Sequence, residues 1–298
     1  MRQSFTTGAP SGRKPLDDEI DVYGLTHKGR VRTVNQDNFL ICSMRKSVAV
    51  HLTSLADLDR LSIGTERLAF LAMVADGVGG GVTGDAASRL AVEAVTEYVA
   101  RTMDCYSSVD ETNDVEFARA LEDAALHVHS DILQQAEENP ELAGMATTLT
   151  LWLGAWPRAY LLQVGDSRCY LLRDGELIQV SRDQTMAQEL VDSGALKPAE
   201  ASRSRWANVL SSSIGGPQTA PVVYRLTQVW GQVGLLCSDG LTKHVSNERI
   251  RERLSSMTSA RQVCQDLLQD ALDAGGTDNI TVVVGRTVPN AAEKAVTS

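Results

Sequence analysis

The sequence is poor in features that would tie it to several large functional classes. Its five cysteines, Cys42, Cys105, Cys169, Cys237 and Cys264, are odd in number, widely spaced and free of any Cys-x-x-Cys pair. That pattern fits reduced thiols better than a disulfide framework or a zinc site. No Cys-x5-Arg loop is present to supply a thiolate nucleophile. Basic residues number 28 against 38 acidic ones, for a formal charge of -10. Such a balance argues against nucleic acid as the main partner. No apolar stretch approaches the ~18 residues of a membrane span, and the first residues lack the apolar core of a signal peptide. A cytoplasmic chain that does not engage the membrane is therefore expected. Internal repeats and linker-like segments are also missing. One domain over residues 20–287 is expected, between flexible tails at 1–19 and 288–298.

Against this background stands residues 70–81, Phe-Leu-Ala-Met-Val-Ala-Asp-Gly-Val-Gly-Gly-Gly. A short apolar run stopped by glycines reads as a buried strand. Asp76 closes it, and a desolvated carboxylate needs a partner. Other strands are expected at residues 20–25, 38–43, 147–153, 159–164, 169–172, 177–180, 222–228, 233–237 and 280–285. Asp174-Gly175 marks a hairpin. Helical spacing of apolar residues covers 85–100, with Thr83 as a cap, and also 115–138 and 260–272. Asn113 and Glu116 form a capping-box pattern, and 186–191 is a short helix. Residues 195–218, rich in Ser and Gly, read as a mobile segment with a helical turn or two, and 44–67 as a strand and an irregular hairpin. The order of strands, two helices, a run of strands, helix and strand is not a βαβ alternation. It favours an α+β fold of antiparallel sheets covered by helices.

Five aspartates share one architectural position. Asp76, Asp166 and Asp239 close apolar strands, whereas Asp37 and Asp278 precede apolar strands and are each followed by Asn. In an antiparallel sheet all five can lie on one rim. Crowded carboxylates raise one another's pKa unless cations join them. Oxygen-only ligation without His or Cys nearby favours Mg²⁺ or Mn²⁺. A single such Asp is more simply a turn residue, the reading given to Asp174, Asp183 and Asp192. His127 and His129 fall two apart on one helix and cannot face the same way.

Arg32-x-x-Asn35-Gln36-Asp37, Ala75-Asp76-Gly77-Val78-Gly79-Gly80, Gly165-Asp166-Ser167-Arg168, Cys237-Ser238-Asp239-Gly240-Leu241 and Gly276-Thr277-Asp278-Asn279 together resemble the motifs of the metal-dependent Ser/Thr protein phosphatases of type 2C. The bacterial branch is the nearest likeness, over about residues 22–286. The resemblance implies a four-layer sandwich of two antiparallel β-sheets flanked by α-helices. It implies that Asp76 bridges two Mn²⁺ or Mg²⁺ ions, with the Gly77 carbonyl on one of them. Asp239 and Asp278 would hold the second ion, with Asp37 nearby, and Asp166 and Asp239 a third. Arg32 would bind the substrate phosphate, and Asn279 would fix the Asp278 loop. Residues 184–216 would form the flap, whose Ser202, Arg203, Ser204, Arg205 and Trp206 either touch a phosphopeptide or form a surface loop with Trp206 packed beneath it.

Two departures from the family pattern stand out. Gln36 replaces a common Glu, and Val78 stands where eukaryotic members often carry His. The implied activity is hydrolysis of phosphoserine and phosphothreonine in proteins by a metal-activated bridging water. A Ser/Thr kinase or its targets would be among the substrates of an enzyme expected to be monomeric. The alternatives are a catalytically weak scaffold that binds a kinase and a small-molecule phosphoesterase.

Overall fold

The computed structural model describes residues 12–46, 66–79, 82–102 and 114–289. Asn113 of the expected capping box, Gly80, Gly81 and most of the expected 44–67 hairpin lie outside them, as does Cys105. The strands are β1 (Ile20–His27), β2 (Asp37–Lys46), β3 (Glu66–Val78), β4 (Ala146–Thr147), β5 (Leu149–Ala155), β6 (Arg158–Val164), β7 (Arg168–Arg173), β8 (Glu176–Gln179), β9 (Val222–Thr227), β10 (Val233–Cys237) and β11 (Ile280–Thr287). The helices are α1 (Val82–Thr102), α2 (Asp114–Glu138), α3 (Met186–Asp192), α4 (Pro198–Ala201), α5 (Asp239–Thr242), α6 (Asn247–Ser255) and α7 (Ala260–Asp273).

Two sheets form, ordered β1-β11-β10-β7-β8 and β2-β3-β5-β6-β9, with β4 paired to the end of β3. The ladders are antiparallel throughout. Three apolar clusters separate four layers. Leu71, Met73 and Ala75 of β3 pack with Leu149, Leu151 and Leu153 of β5 beneath α1 and α2, where Phe117, Leu121, Val128 and Ile132 face inward. Leu235, Cys237, Val282 and Val284 pack beneath α6 and α7. Between the sheets lie Ala72, Val74, Leu161, Cys169, Leu171, Leu236 and Val283. The α+β four-layer sandwich is therefore what the chain adopts.

Strand periodicity decides where the site falls. Side chains alternate faces along a strand, so Ala72, Val74 and Asp76 share the face turned toward the other sheet. The same parity puts Thr148 and Thr150 beside Trp152, Ser238 beyond Leu236, and Thr281 beside Val283. At one end the inter-sheet layer thus changes from apolar to polar, with Asp37, Thr148, Thr150, Gln163, Ser167, Ser238 and Thr281 all buried.

Several expectations need correction. α1 begins at Val82, so Thr83 lies inside its first turn and does not cap it. α6 was not expected. Only Ile250 and Leu254 of that charged helix are buried, too thin a stripe to stand out, although Ser246 caps it by accepting from the Arg249 N–H at 3.3 Å. Residues 13–19 do not behave as a tail. The Glu19 carboxylate is fully buried and pairs with Arg13 at 2.6 Å, and the Val288 N–H donates to the Glu19 carbonyl at 2.8 Å.

The segment 195–218 is anchored rather than loose. Met186 N–H donates to Val209 O at 2.7 Å, Ser211 N–H to Gln184 O at 2.9 Å, and Ile214 N–H to Thr147 O at 2.8 Å. His129 on α2 accepts from the Gly215 N–H at 2.9 Å, and His127 stacks near Tyr98. Trp206 is partly exposed under the Arg205 guanidinium, 4.7 Å from its carbon.

Candidate metal centre

Asp37 opens β2 and sits directly across the ladder from Asp76 in β3. These two belong to one sheet. Asp239 and Asp278 belong to the other, at the first residue of α5 after β10 and just ahead of β11. Asp166 lies on the short crossing from β6 to β7, between the sheets. The aspartates therefore do not line one rim of one sheet. They converge from both sheets at the open end of the sandwich, and Asp76 feels the charges of Asp37, Asp239, Asp166 and Asp278.

Neutral hydrogen bonds position Asp37 and Asp76. Asp37 Oδ2 accepts from Ser238 Oγ and from Thr281 Oγ1, both at 2.7 Å, which ties one sheet to the other. Asp37 Oδ1 is buried and has no hydrogen-bond partner among the described residues. The Asp76 backbone is clamped on both sides. Its N–H donates to Thr148 Oγ1 at 3.0 Å, and its carbonyl accepts from Thr147 Oγ1 and the Thr148 N–H, each at 2.9 Å. Thr148 also lies 2.8 Å from Ser167 Oγ, next to Asp166. Arg168 donates to both oxygens of Asp183, so Asp183 is a paired group facing the site rather than a plain turn residue.

Asn279 is the clasp of the site. Its Oδ1 accepts from the Gln36 N–H at 2.9 Å, and its Nδ2 donates to Lys28 O and Val34 O at 3.0 and 2.9 Å. Gly29, at φ 78°, leaves no room for a Cβ, which would meet Asp278 O at 2.1 Å. This packing lays the loop that carries Arg32 against the start of β11. Arg32 Nε pairs with Asp278 Oδ1 at 2.8 Å. Gly77 pairs with Thr147 in the short β4 ladder, and its N–H donates to Gln36 O at 3.1 Å. The Gln36 side chain points away from the carboxylates, toward Gly79 O at 3.3 Å. Val78 is exposed.

The electrostatics follow from this crowding. Burial pushes Asp37 up to about 6, although its hydroxyl donors oppose the shift. Burial, then the charges of Asp239 and Asp183, push Asp166 up to about 8. Burial and four like charges hold Asp76 well above the ordinary carboxylate range. Burial alone would raise Asp278, but hydrogen bonds from Lys243 and Arg32 bring it below its usual value. Among the described residues no three acidic, His or Cys side chains close on a single point, and Lys243 and Arg32 pair with Asp278. The donor set is nonetheless all oxygen, and Asp37 Oδ1 is a desolvated acceptor without a donor. Both features fit a hard divalent cation. The thiols do not compete, because burial pushes Cys237 and Cys264 up to about 12.

Sequence reading did not single out Lys243, His244, Thr148, Ser238 or Thr281. Lys243 follows Asp239 by four residues, a spacing that would have marked it had α5 been recognised. The strand-face parity of Thr148, Ser238 and Thr281 with neighbouring core residues was the other available signal.

The protein phosphatase 2C family profile matches residues 55–275. Serine/threonine protein phosphatase PstP of Mycobacterium tuberculosis is 38% identical over 219 residues, which is 73% of this chain and 40% of that protein. The chain thus spans about two-fifths of the mycobacterial relative's length. Serine/threonine phosphatase stp of Listeria innocua is 30% identical over 215 residues, 72% of this chain and 83% of that one. Among solved structures, the catalytic domain of PstP in complex with two manganese ions superposes with a TM-score of 0.68 at 31% identity, covering 91% of this chain and 99% of that one. The Streptococcus agalactiae serine/threonine phosphatase superposes with a TM-score of 0.74 at 25% identity, covering 90% and 99%. Fold, converging aspartates and sequence likeness agree, and the chain belongs to the protein phosphatase 2C family.

Proposed function

We propose that this chain is a metal-dependent protein serine/threonine phosphatase, with residues 20–287 as its catalytic unit and 184–216 as a flap beside the site. The observation that carries the proposal is the convergence of Asp37, Asp76, Asp166, Asp239 and Asp278 from two sheets, with a buried Asp37 oxygen left unpartnered. Asp76 and the Gly77 carbonyl would hold one ion, Asp239 and Asp278 with Asp37 nearby would join Asp76 around a second, and Asp166 and Asp239 would favour a third. Bound there, Mn²⁺ or Mg²⁺ supplies the Lewis acidity that activates water and balances charge on the phosphoryl group.

The chain's own residues do the remaining work. Arg32 offers planar, paired donors to a phosphate in a way lysine does not, and its ion pair with Asp278 aims the guanidinium. Thr147 and Thr148 fix the backbone of Asp76 so that its carboxylate keeps one direction. Ser238 and Thr281 consume one oxygen of Asp37 and thereby present the other. Val78, exposed at the edge, has no proton to give, so no side chain at that position protonates the leaving group. The relatives' names support phosphorylated proteins as substrates; a Ser/Thr kinase or its targets would be among them, and the enzyme would act as a monomer. The unpaired cysteines among the described residues and the lack there of any helix long and apolar enough to cross a membrane are compatible with a cytoplasmic setting.

The test is phosphate release from a phosphothreonine peptide. Activity that requires Mn²⁺ or Mg²⁺, stops with EDTA and survives thiol alkylation is expected. Full activity in Asp76→Asn or Asp239→Asn would overturn the proposal. Turnover of small phosphate esters with none of phosphopeptides would redirect it to a small-molecule phosphoesterase.

A further inference from the structure

The cation nearest the carboxylates is Lys243. α5 is a single turn, and the Lys243 N–H closes it on the Asp239 carbonyl at 2.8 Å. Acid then base four residues apart is the favourable order on a helical face. The ammonium reaches Asp239 Oδ2 at 2.6 Å and Asp278 Oδ2 at 2.7 Å. It is well shielded, with a side chain 28% exposed against 19% for Asp239 and 18% for Asp278. The next residue locks the same turn to the same loop, since His244 Nε2 accepts from the Thr277 N–H at 2.9 Å. The approach of α5 to Asp278 therefore does not depend on the lysine.

Lys243 thus stands between the two carboxylates assigned above to the second ion. An ammonium and a divalent cation that share both carboxylates exclude one another by charge and by space. The lysine differs from an immobile counter-ion because a four-carbon stem lets it leave for solvent without disturbing the backbone. We propose that Lys243 is a built-in counter-cation that competes with the second divalent ion for Asp239 and Asp278. It stabilises the ion-free form and weakens loading of that one position. The inference rests on the metal-centre reading of the preceding section and adds a regulator of its occupancy.

Calorimetric titration of Mn²⁺ into chelator-stripped protein tests it, using the wild type, Lys243→Met, Lys243→Gln and Lys243→Arg, with the melting temperature of each ion-free protein measured in parallel. Lys243→Met should bind the weaker Mn²⁺ about tenfold more tightly and melt lower without ions, whereas Lys243→Arg should keep the wild-type affinity. Lys243→Gln provides the same comparison should the methionine variant fail to fold. General damage to the site would weaken Mn²⁺ binding, so a gain in affinity separates competition from a structural role. Wild-type uptake of Mn²⁺ with affinity unchanged or lower in both neutral variants overturns the inference alone. No uptake by any of the proteins overturns the metal-centre reading and the inference with it.

Discussion

Asp37 and Asp76 are direct cross-strand partners in the β2–β3 ladder, two carboxylates on the same face of one sheet with burial around both. Like charges placed opposite one another destabilise a sheet, so the pairing costs stability unless cations join it. Asp76→Asn should therefore act in opposite directions on fold and activity. In EDTA the variant should melt above the wild type, because a crowded charge is gone. With Mn²⁺ present its phosphopeptide turnover should fall by at least about 100-fold. Thermal melts and a phosphate-release assay on the same preparation check both halves.

The ion-free protein should lose stability as pH rises. Asp37 and Asp166 carry pKa values of about 6 and about 8 in the fold against an ordinary 3.8. Each group binds its proton more tightly folded than unfolded, so its contribution is complete below about pH 4 and disappears as pH passes through 6 and then 8. Denaturant midpoints in EDTA should fall between about pH 4 and pH 8, and Mn²⁺ should flatten that decline. A midpoint that rises with pH in EDTA contradicts the assigned burial.

Asn279→Ala removes three hydrogen bonds, one buried and two partly buried, that join the loop bearing Arg32 to the start of β11. The Gln36 N–H and two carbonyls lose their partner, and a loss of about 3 kcal/mol in unfolding free energy is expected. Because Arg32 sits on that loop, KM for a phosphopeptide should rise as well. Chemical denaturation and steady-state kinetics measure the two effects.

Gly77→Ala tests the close approach behind the site. A Cβ there would meet Gly84 O at 2.2 Å and Gln36 O at 2.7 Å, both backbone atoms. β3 and the first turn of α1 would have to separate. A destabilisation of about 2 kcal/mol or more is expected, read as a lower denaturant midpoint with Mn²⁺ affinity reduced in parallel.

The elements legible in the sequence were those with strong periodicity or punctuation. Phe117, Leu121, Ala125, Val128 and Ile132 drew α2 almost to its ends, and Asp174-Gly175 marked its hairpin, where both residues take positive φ. α6 and the anchored segment 195–218 were not legible. Their order comes mainly from partners remote in sequence, such as Thr147 and His129 for the second, and the local pattern carries little beyond the short turn at Pro198–Ala201 and the Ser246 cap.

The same division runs through the site. Aspartates at strand ends, followed by Gly, Ser or Asn, are a local signal, and the sequence by itself determined which five carboxylates form the candidate set and that the donors it offers a cation are oxygen. Tertiary structure alone decided that they converge from two sheets, that Ser238 and Thr281 leave one Asp37 oxygen unpartnered, and that Lys243 lies between Asp239 and Asp278. The reason is physical. Side-chain alternation sets the face on which a residue lies, but only the packing of one sheet on the other sets what faces it.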